Sequence, residues 1–207
     1  MRVVAELVSQ STGSYTTKRL VLGEVRMKLG NITEPMLKLL EDAEEAEVLL
    51  NKEPNRQFFR RAYIRSIFAS IEGIIWVIKQ TCLKARSPKG VLPMTIVEYA
   101  MLADESYGLK GNGETCIQTK FLRLPDNLRF TVKVVNRLFR MQLELGIGTT
   151  TWKNFQTALA IRHRITHPKN ASDIDISDDE IEICKEVTGW FNDIVAKFIQ
   201  NLVKTST

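Results

Sequence analysis

Between Phe58 and Ile78 the chain repeats apolar side chains at intervals of three and four residues: Phe58, Phe59, Ala62, Tyr63, Ile67, Ile71, Ile74, Ile75 and Ile78. That period gathers them along an α-helix and rules out a half-buried strand, whose apolar residues would alternate. From Ile64 to Ile78 the stretch is apolar nearly all round. A helix with so little polar surface has to be covered on several sides, so it reads as the central spine of a helical bundle.

The flanking segments supply helices to cover it. Thr33 is the N-cap of a first helix of about four turns, with Pro35 in its first turn. Met36, Leu39, Leu40, Ala43, Ala46 and Leu50 lie at helical spacing along it, and Pro54 ends it. The spine then runs to Leu83. Ser87, Pro88, Gly90 and Pro93 read as a linker, Thr95 caps a short helix through Tyr107, and Gly108, Gly111, Asn112 and Gly113 mark a flexible excursion. Thr115 to Leu124 fits no single pattern; an extended segment packed on the bundle is one reading.

Asp126 or Asn127 caps a helix carrying Leu128, Val132, Val135, Leu138 or Phe139, and Leu143, which Gly146 and Gly148 stop. Thr150 or Thr151 opens the next, with Trp152, Phe155, Leu159 and Arg162 on one side. The last helix has the best-specified start, because Ser177 and Glu180 form a capping box and Ile176 with Ile181 a hydrophobic staple. Val187, Trp190, Phe191, Ile194, Phe198 and Leu202 continue its buried face. The predicted fold is all-α, an antiparallel bundle of about five to six helices. Residues 34–207 form the bundle, and residues 1–33 an N-terminal extension, either a short strand or hairpin around Val3, Val4, Leu20, Val21 and Leu22 or partly ordered chain.

Hydrophobic residues make up 44% of the 207 and charged residues 26%, an ordinary globular balance. The net charge of +5 suits a polyanionic partner. Cys82, Cys116 and Cys184 are few and far apart, which indicates neither a disulfide framework nor a zinc site and fits a reducing cytoplasm. The first twenty residues lack the apolar centre of a signal peptide. The most apolar interior run, from Gly73 to Ile78, falls short of a bilayer span, so no membrane association is expected. Without a Walker A sequence, a GxGxxG or a GxSxG, neither P-loop nucleotide hydrolysis nor serine-hydrolase chemistry is indicated, and no cofactor or metal is implied.

The chemistry concentrates in Ile161-Arg162-His163-Arg164-Ile165-Thr166-His167-Pro168-Lys169, which holds both histidines of the chain. Imidazole has its ordinary pKa nearest neutrality, and a guanidinium matches the geometry of a phosphate. In an unbroken α-helix the step from Arg162 to His167 would turn the side chains about 140° apart. Pro168, however, disfavours the α conformation in the residue before it, so His167 falls where the helix unwinds and can swing back toward Arg162. On RNA, His167 would shuttle protons while a ribose 2′-hydroxyl attacks the adjacent phosphorus, and Arg162 would hold the non-bridging oxygens. The alternative is a basic helix end that stops at a proline and pairs with Asp173, Asp175, Asp178 or Asp179.

An Arg-x4-His pair at the end of a helix, followed by a short polar loop and a capped last helix behind an apolar spine, resembles the HEPN superfamily. The resemblance covers residues 34 to 207, less the stretch 88–124. It implies a metal-independent endoribonuclease, commonly a homodimer in which both Arg162 and His167 pairs line one cleft. It also implies a toxin, phage-defence or RNA-processing setting, with an antitoxin or a nucleotidyltransferase as protein partner. A non-catalytic member of this kind would instead bind RNA, a nucleotide or a protein. One departure stands out: the residue after the motif arginine, typically Asn or Asp, is here His163, read as a supporting residue.

Further candidates surround this pair. Arg164 and Lys169 flank it, and Arg129, Lys133, Arg137 and Arg140 recur at helical spacing as a stripe for RNA phosphates. Arg56, Arg60, Arg61 and Arg65 form a second basic cluster. Glu72 interrupts the apolar spine and needs a partner, Arg162 being one choice and Arg65 or Lys79 another. Trp76, Trp152, Phe155, Trp190 and Phe191 read as core.

Overall fold

The computed structural model describes residues 33–85 and 94–204. Among them, six α-helices and one two-stranded sheet follow in the order α1 (Thr33–Lys52), α2 (Gln57–Lys84), α3 (Ile96–Leu102), β1 (Glu105–Leu109), β2 (Thr115–Thr119), α4 (Leu124–Leu138), α5 (Thr150–Thr166) and α6 (Asp178–Lys204). The fold is all-α with a short β element. The strand or hairpin expected before Thr33 lies outside the described residues.

The described chain divides into two compact units, one comprising residues up to Ile74 together with those from Glu144, the other spanning Ile75–Leu143; the division falls inside α2. In the first unit, α1, the N-terminal part of α2, α5 and α6 bury Leu40, Leu50, Tyr63, Ile64, Phe68, Trp152, Phe155, Ile165, Val187 and Phe191. At Gly73 the side chain of Leu39 from α1 lies against α2, where a Cβ would come within 2.3 Å of Leu39 Cδ1. Trp152 and Trp190 each stand within 5.5 Å of the Phe155 ring, and that ring is fully buried. The start of α6 is capped as its sequence dictates: the Glu180 amide donates to Ser177 Oγ at 3.2 Å, and Glu180 Oε2 accepts from the Ser177 amide at 3.0 Å. Ile176 and Ile181 are both buried beside this box.

α2 is long and apolar enough to cross a membrane, but most of its apolar stretch is buried inside the protein. Trp76, expected in the core, is 44% exposed, and Glu72, one turn before it, is exposed as well. This strip of α2 therefore faces solvent, and the carboxylate needs no buried partner. Cys82 and Cys184 are buried, and burial pushes both thiols up to about 12, so neither is a thiolate nucleophile near neutrality.

The second unit departs most from the sequence expectation. The helix capped by Thr95 stops at Leu102, not Tyr107. Asp104 adopts a left-handed backbone with φ of 56°, and its carboxylate pairs with the ammonium of Lys79, which is only 1% exposed. β1 then begins, and Gly108 to Gly113 are part of an ordered hairpin. Residues 110 to 114 close it: the Lys110 amide donates to the Glu114 carbonyl at 2.8 Å and the Gly113 amide to the Lys110 carbonyl at 2.9 Å. Gly113, at φ of 84°, takes the left-handed position that a three-residue hairpin loop requires. The Glu114 amide is held by Asn112 Oδ1 at 3.1 Å.

α4 starts with Pro125 in its first turn and Arg123 as N-cap, ahead of the expected Asp126 or Asn127, and it ends at Leu138. Arg140 takes a left-handed φ of 53° just beyond the helix. The side chain of Asn136 then behaves like a piece of strand, donating to the Leu143 carbonyl and accepting from the Leu143 amide, each at 2.8 Å. That pair explains why Leu143, although buried at helical spacing, is not helical.

Candidate functional site

The C-terminal end of α5 and the connection to α6 carry the Arg162–His167 segment. Two contacts tie α5 to α2: Arg162 Nη2 donates to Glu72 Oε1 at 3.1 Å, and Arg65 Nη2 donates to the Ile165 carbonyl at 2.8 Å. The numbering rises along one helix as it falls along the other, so α2 and α5 run antiparallel here. Arg162 is 25% exposed and Glu72 45%. An ion pair this wet adds about 0–1 kcal/mol to stability. Its main effect is to hold the guanidinium in one orientation with part of its edge open to solvent.

α5 ends at Thr166, whose Oγ1 turns back to the Arg162 carbonyl at 2.6 Å. His167 is the C-cap, with φ of −127° and ψ of 60°, outside the α region as Pro168 demands. Its amide still closes the last turn on the His163 carbonyl at 3.0 Å. The His167 and His163 side chains are both exposed, as is Lys169.

Beyond Pro168 the loop is fastened by its own polar groups and by a row of arginines. Asp173 Oδ2 accepts from the amides of Lys169 at 2.7 Å and Asn170 at 3.2 Å, and Asn170 Oδ1 accepts the Asp173 amide at 3.1 Å. The Lys169 amide, then that of Asn170 and the nearby Arg164, hold the Asp173 carboxyl below its ordinary range. Along α2, Arg61 Nη1 donates to the Ile174 carbonyl at 3.0 Å, and Arg60 Nη1 to the Ile176 carbonyl at 2.7 Å. Gln57 both donates to the Ile176 carbonyl and accepts its amide, at 2.9 and 2.8 Å. Successive turns of α2 thus track the chain backwards from Ile176 to Ile165. Arg60 also pairs with Asp178. Of the second basic cluster, Arg60 and Arg61 thus strap down the loop after His167.

Arg164 has the same kind of duty. It donates to the carbonyls of Asp173 at 2.7 Å and Asp175 at 2.9 Å and to Glu180 Oε1 at 2.6 Å. With these acceptors its guanidinium is a loop anchor first. Arg164→Ala should therefore destabilise the protein by about 1–3 kcal/mol and speed amide exchange over residues 169–176. Denaturation and hydrogen-exchange measurements check this; unchanged values would leave Arg164 a surface cation.

The acids proposed as alternative partners for the Arg162 and His167 side chains are in part engaged elsewhere, Asp173 by loop amides and Asp178 by Arg60. Arg65 and Lys79, the other candidates for Glu72, pair instead with the Ile165 carbonyl and with Asp104. The stripe of Arg129, Lys133, Arg137 and Arg140 belongs to the other unit. There Arg137 pairs with Glu98 at 2.6 Å and Arg129 with Asp126 at 3.9 Å, whereas Lys133 is exposed. Glu98 also closes the Thr95 capping box; the Thr95 amide first, and then the Thr95 hydroxyl and Arg137, lower its pKa.

A cleft in the first unit, lined mainly by apolar residues including Leu40, Tyr63, Ile71 and Phe191, contains neither Arg162 nor His167. Among the described residues no group of three or more His, Cys, Asp or Glu side chains is placed to hold a metal ion. Comparison with models of known protein families, with curated proteins and with solved structures returns no match.

Proposed function

We propose that the chain is a metal-independent endoribonuclease of HEPN type, with Arg162 and His167 as its catalytic pair. The supporting observations are a solvent-reaching guanidinium held by Glu72 and an exposed imidazole five residues on, where α5 ends, ahead of a loop fastened by arginines of α2 and α5. In the reaction the imidazole of His167 takes the proton of a ribose 2′-hydroxyl. The 2′-oxygen bonds to phosphorus, the bond to the 5′-oxygen breaks, and the imidazolium returns the proton to that leaving oxygen. Arg162 donates to the non-bridging oxygens as charge builds on them. Glu72 is a positioning residue, since it acts through Arg162.

The test is cleavage of defined RNAs in EDTA. The products should carry a 2′,3′-cyclic phosphate and a 5′-hydroxyl. His167→Ala should lower the rate by about 10²–10⁴-fold with folding intact. Arg162→Ala should do likewise, and Glu72→Gln should give a smaller loss in kcat.

The second reading is a non-catalytic helical module that binds RNA, a nucleotide or a protein. The carboxylate already on Arg162 favours it, because a phosphate would have to compete with Glu72 for the guanidinium. Salt-sensitive RNA association without cleavage would decide for this reading.

A further inference from the structure

Seven of the eleven large apolar side chains exposed among the described residues crowd into residues 96–121: Ile96, Val97, Tyr99, Tyr107, Leu109, Ile117 and Phe121. Three of them share one face of the hairpin. Tyr107 lies opposite Ile117 in the register, and Leu109 lies two residues along from Tyr107. These three are 56%, 64% and 74% exposed. α3 packs beside β1, and its exposed Ile96, Val97 and Tyr99 add to the unit's apolar surface. An apolar strip of this kind on an exposed sheet face marks an interaction site.

Among the described residues the edge beside it is open, since β2 pairs there with β1 alone. The hydrogen bonds from Lys110 to Glu114 and from Lys120 to Asp104, both 2.8 Å, set which residues face which way. Glu114, Cys116, Gln118 and Lys120 direct their backbone groups toward β1, because hydrogen-bonded pairs alternate along an antiparallel ladder. Thr115, Ile117 and Thr119 therefore present amide and carbonyl groups at the outer edge, and all three are exposed. Natural edges are normally blunted by a proline, a bulge or a central lysine. This one carries β-branched residues at each outward position.

We propose that β2 pairs antiparallel with β2 of a second copy of this chain, about a two-fold axis at Ile117. Three independent features of Glu114-Thr115-Cys116-Ile117-Gln118-Thr119-Lys120 converge on that register. The outward backbone groups match, Ile117 facing Ile117 and Thr115 facing Thr119 of the second copy as hydrogen-bonded pairs. The charges match, Glu114 meeting Lys120 of the second copy at each end. The apolar face becomes continuous across a four-stranded sheet, Tyr107 and Ile117 meeting Ile117 and Tyr107 of the other copy in one cross-strand row. A two-fold axis requires such self-complementarity, and a one-residue slip would lose all three matches. This interface uses neither Arg162 nor His167, the pair that the HEPN resemblance puts in a shared cleft, and does not depend on the ribonuclease reading.

Sedimentation equilibrium of the full chain should show a monomer–dimer transition. Glu114→Lys or Lys120→Glu alone should each move its midpoint up by about tenfold, because two attractive pairs become repulsive. Mixing the two single variants, or combining both changes in one chain, should restore the dimer. Gln118→Cys, which would set a new thiol against Cys116 of the second copy in a non-hydrogen-bonded pair, should cross-link under mild oxidation far faster than the parent. Thr119→Cys should not. All these positions are on the exposed edge, so circular dichroism should be unchanged. A monomer at every concentration, a dimer indifferent to the charge variants, or cross-linking no faster with Gln118→Cys than with the parent would each overturn the proposal.

Discussion

Asp104→Ala is expected to destabilise the protein by about 3–5 kcal/mol, because it leaves a buried ammonium without its counter-charge. Lys79 is 1% exposed and Asp104 15%, so no water shell can replace the lost carboxylate. The alanine would also inherit a left-handed backbone, φ of 56°, which costs an L-residue with a Cβ about 1–2 kcal/mol. Asp104→Gly separates the two effects, since glycine adopts that backbone freely and loses only the ion pair. Asp104→Asn keeps an acceptor for Lys79 and tolerates the backbone, so it should fall between the parent and the glycine variant. A double variant, Lys79→Met with Asp104→Gly, should regain most of the loss, because removing both charges is far less harmful than removing one. Urea denaturation of the four variants gives the ordering. A glycine variant as stable as the parent would mean that Lys79 finds another acceptor.

Phe155→Ala should lose a similar amount, about 3–5 kcal/mol, by opening a cavity that rigid neighbours cannot fill. Its ring is fully buried, with Trp152 at 5.2 Å and Trp190 at 5.4 Å between centroids. Two large aromatic systems on neighbouring helices relax poorly toward each other, so this value belongs at the upper end. Thermal unfolding and the tryptophan emission maximum both read it, the latter moving to the red as water enters. A loss below about 1 kcal/mol would show that the site collapses or that the cluster was loosely packed.

What could be read in advance depended on the distance over which each feature is decided. The Ser177 and Glu180 box, the arrest of α5 at His167 and the α2 spine are settled within a few residues by cap chemistry, proline sterics and helical period. The straps from Arg60 and Arg61 join groups more than a hundred residues apart, and no local pattern distinguishes them from a solvated basic face. Trp76 was misplaced for a related reason: a helix that is apolar all round does not reveal which side its neighbours leave open. The hairpin is hard to read in advance because its apolar residues are on the exposed face: Tyr107 fits the last turn of a helix, and Thr115 to Leu124 fits an extended segment without showing what it pairs with. At the candidate site, Glu72 drew attention as an acid in an apolar run, though its value lies in reaching Arg162 from an exposed strip. Arg164 looked like a phosphate ligand because the carbonyls it serves belong to a loop with no regular pattern.

The hairpin turn has a chemical consequence of its own. Asn112-Gly113 is the dipeptide most prone to spontaneous deamidation, which requires the Gly113 nitrogen to attack the Asn112 side-chain carbonyl and close a succinimide ring. Here that nitrogen donates to the Lys110 carbonyl, while the Asn112 side-chain oxygen is engaged by the Glu114 amide. The attacking nitrogen is thus engaged, and the side chain it must reach is held by its oxygen, for as long as β1 and β2 stay zipped, so ring closure has to wait until the turn opens.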